Sequence, residues 1–344
     1  MTARSARFWT PLLPPEAGAS PTGFTPKRYA FLLIPGYSQL GFACAIEALS
    51  LANLHPSNQT FYTWRLIGET GDPVPAYNGV TTAVDAALPP LDRNETLVVC
   101  AGDNAGDGST RPVLNWLRRE TRKGMDFGAL SSGTYTLALA GLLAGKTVTT
   151  HWQFRDALTE LLPDVIIETS LFSVDGKIFT TAGGAASMDM MLDRVRADYG
   201  TDLATWVADQ MVYTDPRAAT HGQRLSRRAS PDMAHGKLGI ALQIMENNLE
   251  DPLRPDEIAQ VIELSTRQLE RLFAKHLGMS PKRHYLQLRL EKARGLLRQT
   301  SLSVTDICVA CGFRSLSHFS KSYRATFGLS PGQEKRGTRA IWPD

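Results

Sequence analysis

Two stretches of the chain decide its fold: LRPDEIAQVIELSTRQLERLFAKHLGMSP at residues 253–281 and LSVTDICVACGFRSLSHFSKSYRATFGLSP at residues 302–331. They are two copies of one pattern, in which Ser265 corresponds to Ser315 and Pro281 to Pro331. Each copy has the apolar spacing of two short helices joined by a tight turn. The repeat therefore predicts two helix-turn-helix motifs, a kind of unit that reads DNA.

The second helix of each copy is predicted to face the DNA. Ser265 and Ser315 stand where the helix needs a side-chain cap, and Gly312 suits the preceding turn, where a positive φ costs glycine little. Arg and Gln can bond bidentately to base edges, whereas Lys and the later Arg residues suit phosphates. Two such helices about 34 Å apart would enter successive major grooves. With the two caps, the predicted DNA-binding residues are Ser265, Thr266, Arg267, Gln268, Arg271 and Lys275 in the first copy and Ser315, Leu316, Ser317, His318, Lys321 and Arg324 in the second.

Charge is distributed unevenly along the 344 residues. Residues 28–213 carry 13 basic and 20 acidic side chains, whereas residues 237–344 carry 17 basic and 11 acidic ones. An acidic body with a basic C-terminal part favours contact with nucleic acid through that part.

Composition restricts the class of protein further. A hydrophobic content of 43% with 21% charged residues is typical of a globular protein with a real core. The sequence shows no apolar run of about 18 residues and no N-terminal secretion signal. Four cysteines do not suggest a disulfide framework, so we expect a cytoplasmic protein. Cys308 and Cys311 lack two further ligands at zinc spacing and are interpreted as small buried residues, with no metal and no cofactor expected.

The N-terminal part alternates apolar runs with helical spacing, which predicts an α/β domain with an open, doubly wound, mostly parallel sheet of the flavodoxin-like type. The C-terminal part is predicted to be all-α. We expect a disordered lead-in at 1–27, the α/β domain at 28–213, a linker at 214–236, the DNA-binding domain at 237–336 and a tail at 337–344. Ligands of such sheets lie at the carboxyl ends of strands, where this chain carries Gly36, Gly102, Ser131 and the Thr150-His151 turn.

The stretch from Gly128 to Gly133 lies between a predicted strand and a predicted helix of small residues. A nucleophile exposed on a sharp strand-to-helix turn has this form, and His151 follows about twenty residues later as a possible base. Ser131 and His151 therefore leave a hydrolase or amidase open as an alternative. A serine-rich turn that merely caps a helix is the simpler interpretation.

Residues 237–336 resemble the DNA-binding domain of AraC-family regulators. The stretches that carry the resemblance are Arg267 to Phe273 and Gly278-Met-Ser-Pro281 in the first half, and Gly312-Phe313, His318-Phe319 and Gly328-Leu-Ser-Pro331 in the second. One departure is that Glu263 and Leu264 lack the glycine usual before the first recognition helix. We expect the first copy to carry more of the hydrogen-bonded base readout.

Residues 28–212 resemble the PfpI-type, class I amidotransferase-like domain through stretches such as FLLIPG at 31–36 and GKTVTTHW at 145–152. The resemblance implies a cysteine at the elbow, where this chain has Ser131, and an acid that falls on Gly41. A serine hydroxyl is far less acidic than a thiol. We therefore interpret the pocket as a retired active site that binds a small molecule, and expect the protein not to be an enzyme.

The two domains in this order resemble the GlxA-type group of AraC-family regulators, which includes activators of choline, betaine, carnitine and arginine catabolism. The resemblance implies a regulator, most simply an activator, that binds double-stranded promoter DNA, RNA polymerase and a small amine or amino-acid-like effector, and that forms a homodimer. An architectural DNA binder with an inactive N-terminal domain remains a further alternative. The candidate ligand residues are Gly36, Tyr37, Phe42, Glu47, Gly102, Ser131, Ser132, Tyr135, His151 and Trp152.

Overall fold

The computed structural model describes residues 25–103, 105–162, 164–223, 236–300 and 302–340. Nearly all of the predicted lead-in, most of the predicted linker and the end of the predicted tail lie outside the described residues. The described residues fall into two compact units, those within 1–152 and 164–221 forming one and those within 153–163 and 222–344 forming the other.

The first unit is built on a mostly parallel sheet, as the alternation of apolar runs and helices predicts. Its strands are β1 (Lys27–Leu33), β2 (Tyr62–Gly68), β3 (Val74–Pro75), β4 (Thr81–Thr82), β5 (Ala86–Ala87), β6 (Glu95–Cys100), β7 (Phe127–Leu130), β8 (Thr147–Thr149), β9 (Ile166–Glu168), β10 (Phe172–Asp175) and β11 (Ile178–Thr181). Seven of them form one sheet in the order β10-β11-β7-β6-β1-β2-β5. Each neighbouring pair is parallel except β10–β11, which is antiparallel. The remaining strands form the two-stranded pairs β3–β4 and β8–β9.

The central strands β1, β6 and β7 are mainly apolar where both of their faces are buried, as in residues 29–33 of β1 and residues 97–100 of β6. Ala30 pairs with Leu97, and Leu97 pairs with Phe127, so that β1, β6 and β7 lie side by side. Alternate residues of a strand point to opposite faces. Phe31 and Leu33 accordingly join one core cluster with the helices, while Leu32 between them is equally buried.

Helices of the first unit flank this sheet. They are α1 (Gln39–Asn53), α2 (Ala105–Gly108), α3 (Arg111–Thr121), α4 (Gly133–Leu139), α6 (Ala186–Tyr199) and α7 (Thr201–Gln210). Helices α1, α6 and α7 pack on one another over the apolar cluster, and α4 packs against β6 and β7. The short helix α5 (Arg155–Leu161) belongs to the second unit.

The second unit is helical and contains both predicted helix-turn-helix motifs. Its remaining helices are α8 (Lys237–Asn247), α9 (Pro255–Val261), α10 (Thr266–Leu277), α11 (Pro281–Gln299), α12 (Val304–Ala310), α13 (Leu316–Phe327) and α14 (Pro331–Ala340). The first motif is α9–α10, the second is α12–α13, and the long helix α11 joins them. Within the described residues, no helix has the length and apolar character needed to cross a membrane.

Candidate nucleic-acid interface and candidate ligand site

The second helices of the two motifs, α10 and α13, are the predicted recognition helices, and both begin at a serine cap. The Ser265 hydroxyl accepts a hydrogen bond of 3.2 Å from the backbone N–H of Gln268, and the Ser315 hydroxyl accepts one of 3.4 Å from that of His318. Each cap satisfies a donor that the helix itself leaves unpaired. The side chains that follow each cap are therefore held on a fixed first turn.

The recognition helices bury one stripe and expose the rest. Leu269 and Phe273 of α10 are fully buried, as are Phe319 and Tyr323 of α13. All of the predicted DNA-binding side chains, the two caps included, are exposed. The cations among them, Arg267, Arg271, Lys275, Lys321 and Arg324, form no ion pair within the described part of the chain.

Gln268 is engaged in the helix cap rather than free. Its side-chain oxygen lies 2.8 Å from the Ser265 backbone nitrogen, which donates to it, and 3.0 Å from the Ser265 hydroxyl. Bidentate recognition of adenine needs that oxygen as an acceptor for the base. Bidentate contact with adenine by Gln268 therefore requires the cap to open, whereas Arg267 is exposed and forms no ion pair among the described residues.

The second motif has a positioning residue that the sequence pattern did not indicate. The Arg289 guanidinium donates hydrogen bonds of 2.7 Å and 2.6 Å to the carbonyls of Cys311 and Gly312, and it lies 4.1 Å from the centre of the Phe313 ring. The planar, forked guanidinium suits this combination of two acceptors and a ring face. Helix α11 thereby holds the turn of the second motif.

Cys308 and Cys311 are buried free thiols beside this turn. Burial raises the pKa of the Cys308 thiol, and burial raises the pKa of the Cys311 thiol to about 12. Thiolates are the form that binds metals. Among the described residues, no group of three or more His, Cys, Asp or Glu is placed to hold a metal ion.

In the first unit, Ser131 occupies the sharp turn between β7 and α4. Its φ is +58°, a left-handed conformation that is uncommon for a residue with a side chain. The turn is held because the Ser131 N–H donates to the Thr181 carbonyl at 3.0 Å and the Thr150 hydroxyl donates to the Ser131 carbonyl at 3.0 Å. The predicted strand-to-helix elbow is therefore present, with a serine at its apex.

Gly183 is packed directly against the elbow. A Cβ built on Gly183 would lie 2.5 Å from the Ser131 Cβ and 2.9 Å from its Cα. Real side chains do not approach so closely, so position 183 requires a glycine for steric reasons as well as for its φ of +82°.

The position that the resemblance assigns to an acid is occupied by Gly41 and is tightly packed. A Cβ on Gly41 would lie 3.3 Å from both the Gly184 nitrogen and the Ser187 hydroxyl oxygen. That hydroxyl is buried and has no hydrogen-bond partner among the described residues. An acidic side chain here would need these groups to shift slightly, and because the residue is a glycine, this position supplies no carboxylate to Ser131.

The remaining candidate ligand residues differ in exposure. Tyr37 and Phe42 are buried and pack edge to face at 5.6 Å between ring centres. Trp152 is 40% exposed, with its ring 5.3 Å from that of His151. Tyr135 is buried, whereas Glu47 is exposed on α1.

The floor of the candidate site is backbone. A Cβ on Gly102 would lie 1.9 Å from the Gly36 carbonyl oxygen, so the chain segments after β1 and β6 touch there. The Ser132 hydroxyl donates a hydrogen bond of 2.6 Å to the Gly102 carbonyl. The carboxyl ends of β1, β6 and β7 are thereby tied together, as the parallel sheet predicts.

A cavity of about 1100 Å³ lies elsewhere in the first unit, among β10, α6, α7 and the segment that follows α7. None of the candidate ligand residues lines it. Three of its five acids, Asp175, Asp189 and Asp193, are engaged in ion pairs with Lys146, Arg217 and Arg196. The other two, Glu168 and Asp209, form no ion pair among the described residues.

The segment after α7 is held on the first unit, although the sequence predicts a linker from residue 214. Asp189, fully buried, accepts hydrogen bonds from the Tyr213 hydroxyl at 2.7 Å and from the Arg217 backbone nitrogen at 2.7 Å. The Arg217 guanidinium adds two more at 3.1 Å and 2.7 Å. Residues 214–221 consequently belong to the first compact unit.

Comparison with known proteins agrees with both halves of this description. Residues 27–197 match the DJ-1/PfpI family, and residues 258–337 match the helix-turn-helix domain family. The fold and the exposed recognition helices thus define a helix-turn-helix regulator with a DJ-1/PfpI-type N-terminal domain.

Curated relatives match over nearly their whole length. The chain is 42% identical to the HTH-type transcriptional regulator CdhR of Pseudomonas aeruginosa over 317 residues, which cover 92% of this chain and 93% of CdhR. It is 37% identical to GbdR of the same species, over 93% of this chain and 87% of GbdR. It is 33% identical to GlxA of Rhizobium meliloti, over 90% of this chain and 96% of GlxA. The chain belongs to the AraC family of HTH-type transcriptional regulators, and it is a DNA-binding regulator rather than an enzyme.

Proposed function

We propose that the first unit senses a small amine or amino-acid-like metabolite bound beside Ser131 and His151. The observation that carries this proposal is the elbow itself. A left-handed residue with a side chain costs free energy and persists where the surrounding structure enforces it, which is typical of functional sites. This chain keeps the elbow while Gly41 leaves it without an acid, which favours binding over catalysis.

The proposed pocket combines aromatic and polar groups. The exposed Trp152 offers a ring face, which attracts organic cations, and Ser131 and His151 offer polar groups for the rest of the metabolite. Tyr135, which is buried, would contribute to the wall of the pocket. Gly36, Gly102 and Ser132 form its backbone floor, with Tyr37 and Phe42 behind them. Glu47 is exposed on α1 and would act on a cation through its charge.

An effector controls transcription only if it binds two states of the regulator with different affinities. We propose that effector binding changes the affinity for promoter DNA and that the protein acts in the cytoplasm as an activator contacting RNA polymerase. A homodimer would present its recognition helices to paired half-sites.

The sensing proposal is tested with the full-length chain in a thermal-shift screen of amines and amino acids. A true effector should raise the unfolding midpoint in proportion to the logarithm of its concentration and should also change the affinity for operator DNA. Compounds that stabilise the protein without altering DNA affinity would contradict it, as would a complete absence of stabilising compounds.

The proposed DNA contacts are tested with Arg267→Ala. If Arg267 reads a base, specific binding should weaken by about 1–3 kcal/mol while binding to random duplex changes little. An equal loss on random DNA would make Arg267 a phosphate contact. The number of chains bound per operator, measured by light scattering, tests the dimer.

A further inference from the structure

The second recognition helix begins with a large apolar side chain that faces outward. Leu316 is the first residue of α13, directly after the Ser315 cap, and 44% of it is exposed. The equivalent residue of the first motif, Thr266, is also exposed and also ends in a methyl group. Methyl groups therefore occupy the same end of both recognition helices.

Packing within the motif does not use the exposed part of Leu316. The apolar contacts of the second motif run through the rings of Phe313, Phe319 and Tyr323, which meet at tilted and edge-on angles with centre-to-centre distances of 5.0 Å and 5.7 Å. These three rings are buried. The N-terminal residues of a recognition helix are the ones that reach base edges in the major groove, and Leu316 lies at that end.

The polar neighbours of Leu316 are partly committed. The Ser315 hydroxyl caps the helix, and the His318 ring lies 5.9 Å from the Phe313 ring and 3.5 Å, through Nε2, from the Ser322 hydroxyl. The first turn of α13 carries neither a guanidinium nor a side-chain amide. It is therefore poorly equipped for bidentate hydrogen bonds and well equipped for an apolar contact.

We infer that Leu316 recognises the C5-methyl group of a thymine in the part of the operator that α13 contacts, called here the second half-site. That methyl is the one apolar feature of the major-groove edge, and apolar side chains recognise it by contact. The inference rests on the proposed entry of α13 into the major groove. The second motif would then recognise its sequence by burying a thymine methyl group, whereas Arg267 of the first motif can recognise a base through guanidinium hydrogen bonds.

The experiment uses the full-length chain and an operator duplex obtained by selection from randomised DNA. Each thymine of the second half-site is replaced in turn by deoxyuridine, which keeps every hydrogen-bonding group and lacks only the methyl. Loss of the contact should weaken binding about three- to tenfold at one position, the effect of roughly one buried methyl. Leu316→Ala should weaken binding to the thymine duplex and abolish the difference between thymine and deoxyuridine.

Val309→Ala is the matched control, because Val309 is 61% exposed on α12 of the same motif. This variant should keep the full response to deoxyuridine. A wild-type protein indifferent to every such replacement would overturn the inference, as would a Leu316→Ala protein with an unchanged response. Failure to enrich any duplex would instead count against the proposed DNA contacts as a whole, and the two failures are thereby distinguished.

Discussion

Glu263 and Gly312 occupy the same position in the turns of the two helix-turn-helix motifs. Each lies two residues after the end of the first helix, and both have left-handed backbone angles, with φ of +55° and +70°. Glycine adopts this conformation freely, whereas a residue with a Cβ is strained in it. The first motif therefore carries a strain that the second motif avoids.

Replacing Glu263 by glycine should stabilise the second unit. Relief of the left-handed strain should outweigh the greater entropy of a glycine in the unfolded chain, for a net gain of about 0.5–1 kcal/mol. Thermal unfolding of the full-length protein measures it, with Glu270→Gly inside α10 as the control, which should lose about 1 kcal/mol. A lower midpoint for Glu263→Gly would show that the Glu263 side chain makes a stabilising contribution greater than the strain.

Replacing Gly312 by alanine should have the opposite effect. A Cβ there would lie 2.6 Å and 2.7 Å from the carbonyl oxygens of Glu250 and Leu249, so the turn would have to move as well as accept a strained φ. We expect a loss of about 2–3 kcal/mol in the free energy of unfolding. Gly278→Ala is the control, since φ there is +66° but nothing lies within 4 Å. An equal loss for both variants would show that the steric contact is unimportant.

Gly183→Ala should destabilise the elbow at Ser131. The contact between the new Cβ and the Ser131 Cβ should cost about 1–3 kcal/mol beyond the strain of the positive φ. Gly141→Ala isolates that strain, because Gly141 has a similar φ of +72° and open space around it. In a Ser131→Gly background the cost of Gly183→Ala should fall, and a cost that stays the same would place the clash elsewhere.

Asp189→Asn should release the segment after α7. The amide nitrogen would face groups that already donate, and Arg217 would lose its charge partner. We expect a loss of about 2–3 kcal/mol in the free energy of unfolding. Limited proteolysis after Tyr213 should become faster at the same time. Asp193→Asn is the control, since the side chains of its ion pair with Arg196 are 28% and 60% exposed, whereas that of Asp189 is fully buried, and the pair should be worth less than about 1 kcal/mol. Unchanged proteolysis in Asp189→Asn would show that other contacts hold the segment.

The sequence predicts the elements whose pattern is long or repeated. Continuous apolar runs mark the central strands, because strands buried on both faces exclude polar residues. The spacing shared by residues 253–281 and 302–331 predicts both helix-turn-helix motifs and the exposure of their outward side chains. The strands β3, β4 and β5 have two residues each, too few for any periodicity to be visible.

The sequence pattern did not predict features that depend on contacts between residues far apart in the sequence. Residues 214–221 have a composition typical of a linker, and they are tied to the first unit by partners distant in sequence. Asp189, 28 residues before Arg217, is one of them, and the Leu171 backbone nitrogen, which donates to the Ala219 carbonyl at 2.8 Å, is another. The role of Arg289 depends on the carbonyls of Cys311 and Gly312, which lie 22 and 23 residues away in the sequence. Gln268 fits a base-reading position equally well, and its engagement in the cap becomes visible only in three dimensions.

Glu334 should make the second unit sensitive to acid. Burial raises the pKa of its carboxyl, but hydrogen bonds and charge from Arg298 and Arg294 outweigh this and hold the pKa below its ordinary value. A group whose folded-state pKa is depressed stabilises the fold above its unfolded pKa, and this contribution disappears as the pH falls through the folded pKa. Glu334→Gln should therefore lower the unfolding midpoint at pH 7, and the difference from wild type should shrink below about pH 4. The comparison is made by thermal unfolding from pH 7 to pH 3, with Glu291→Gln, which is exposed on α11, as the control. A difference that stays constant across this range would show that the side chain acts through its packing rather than its charge.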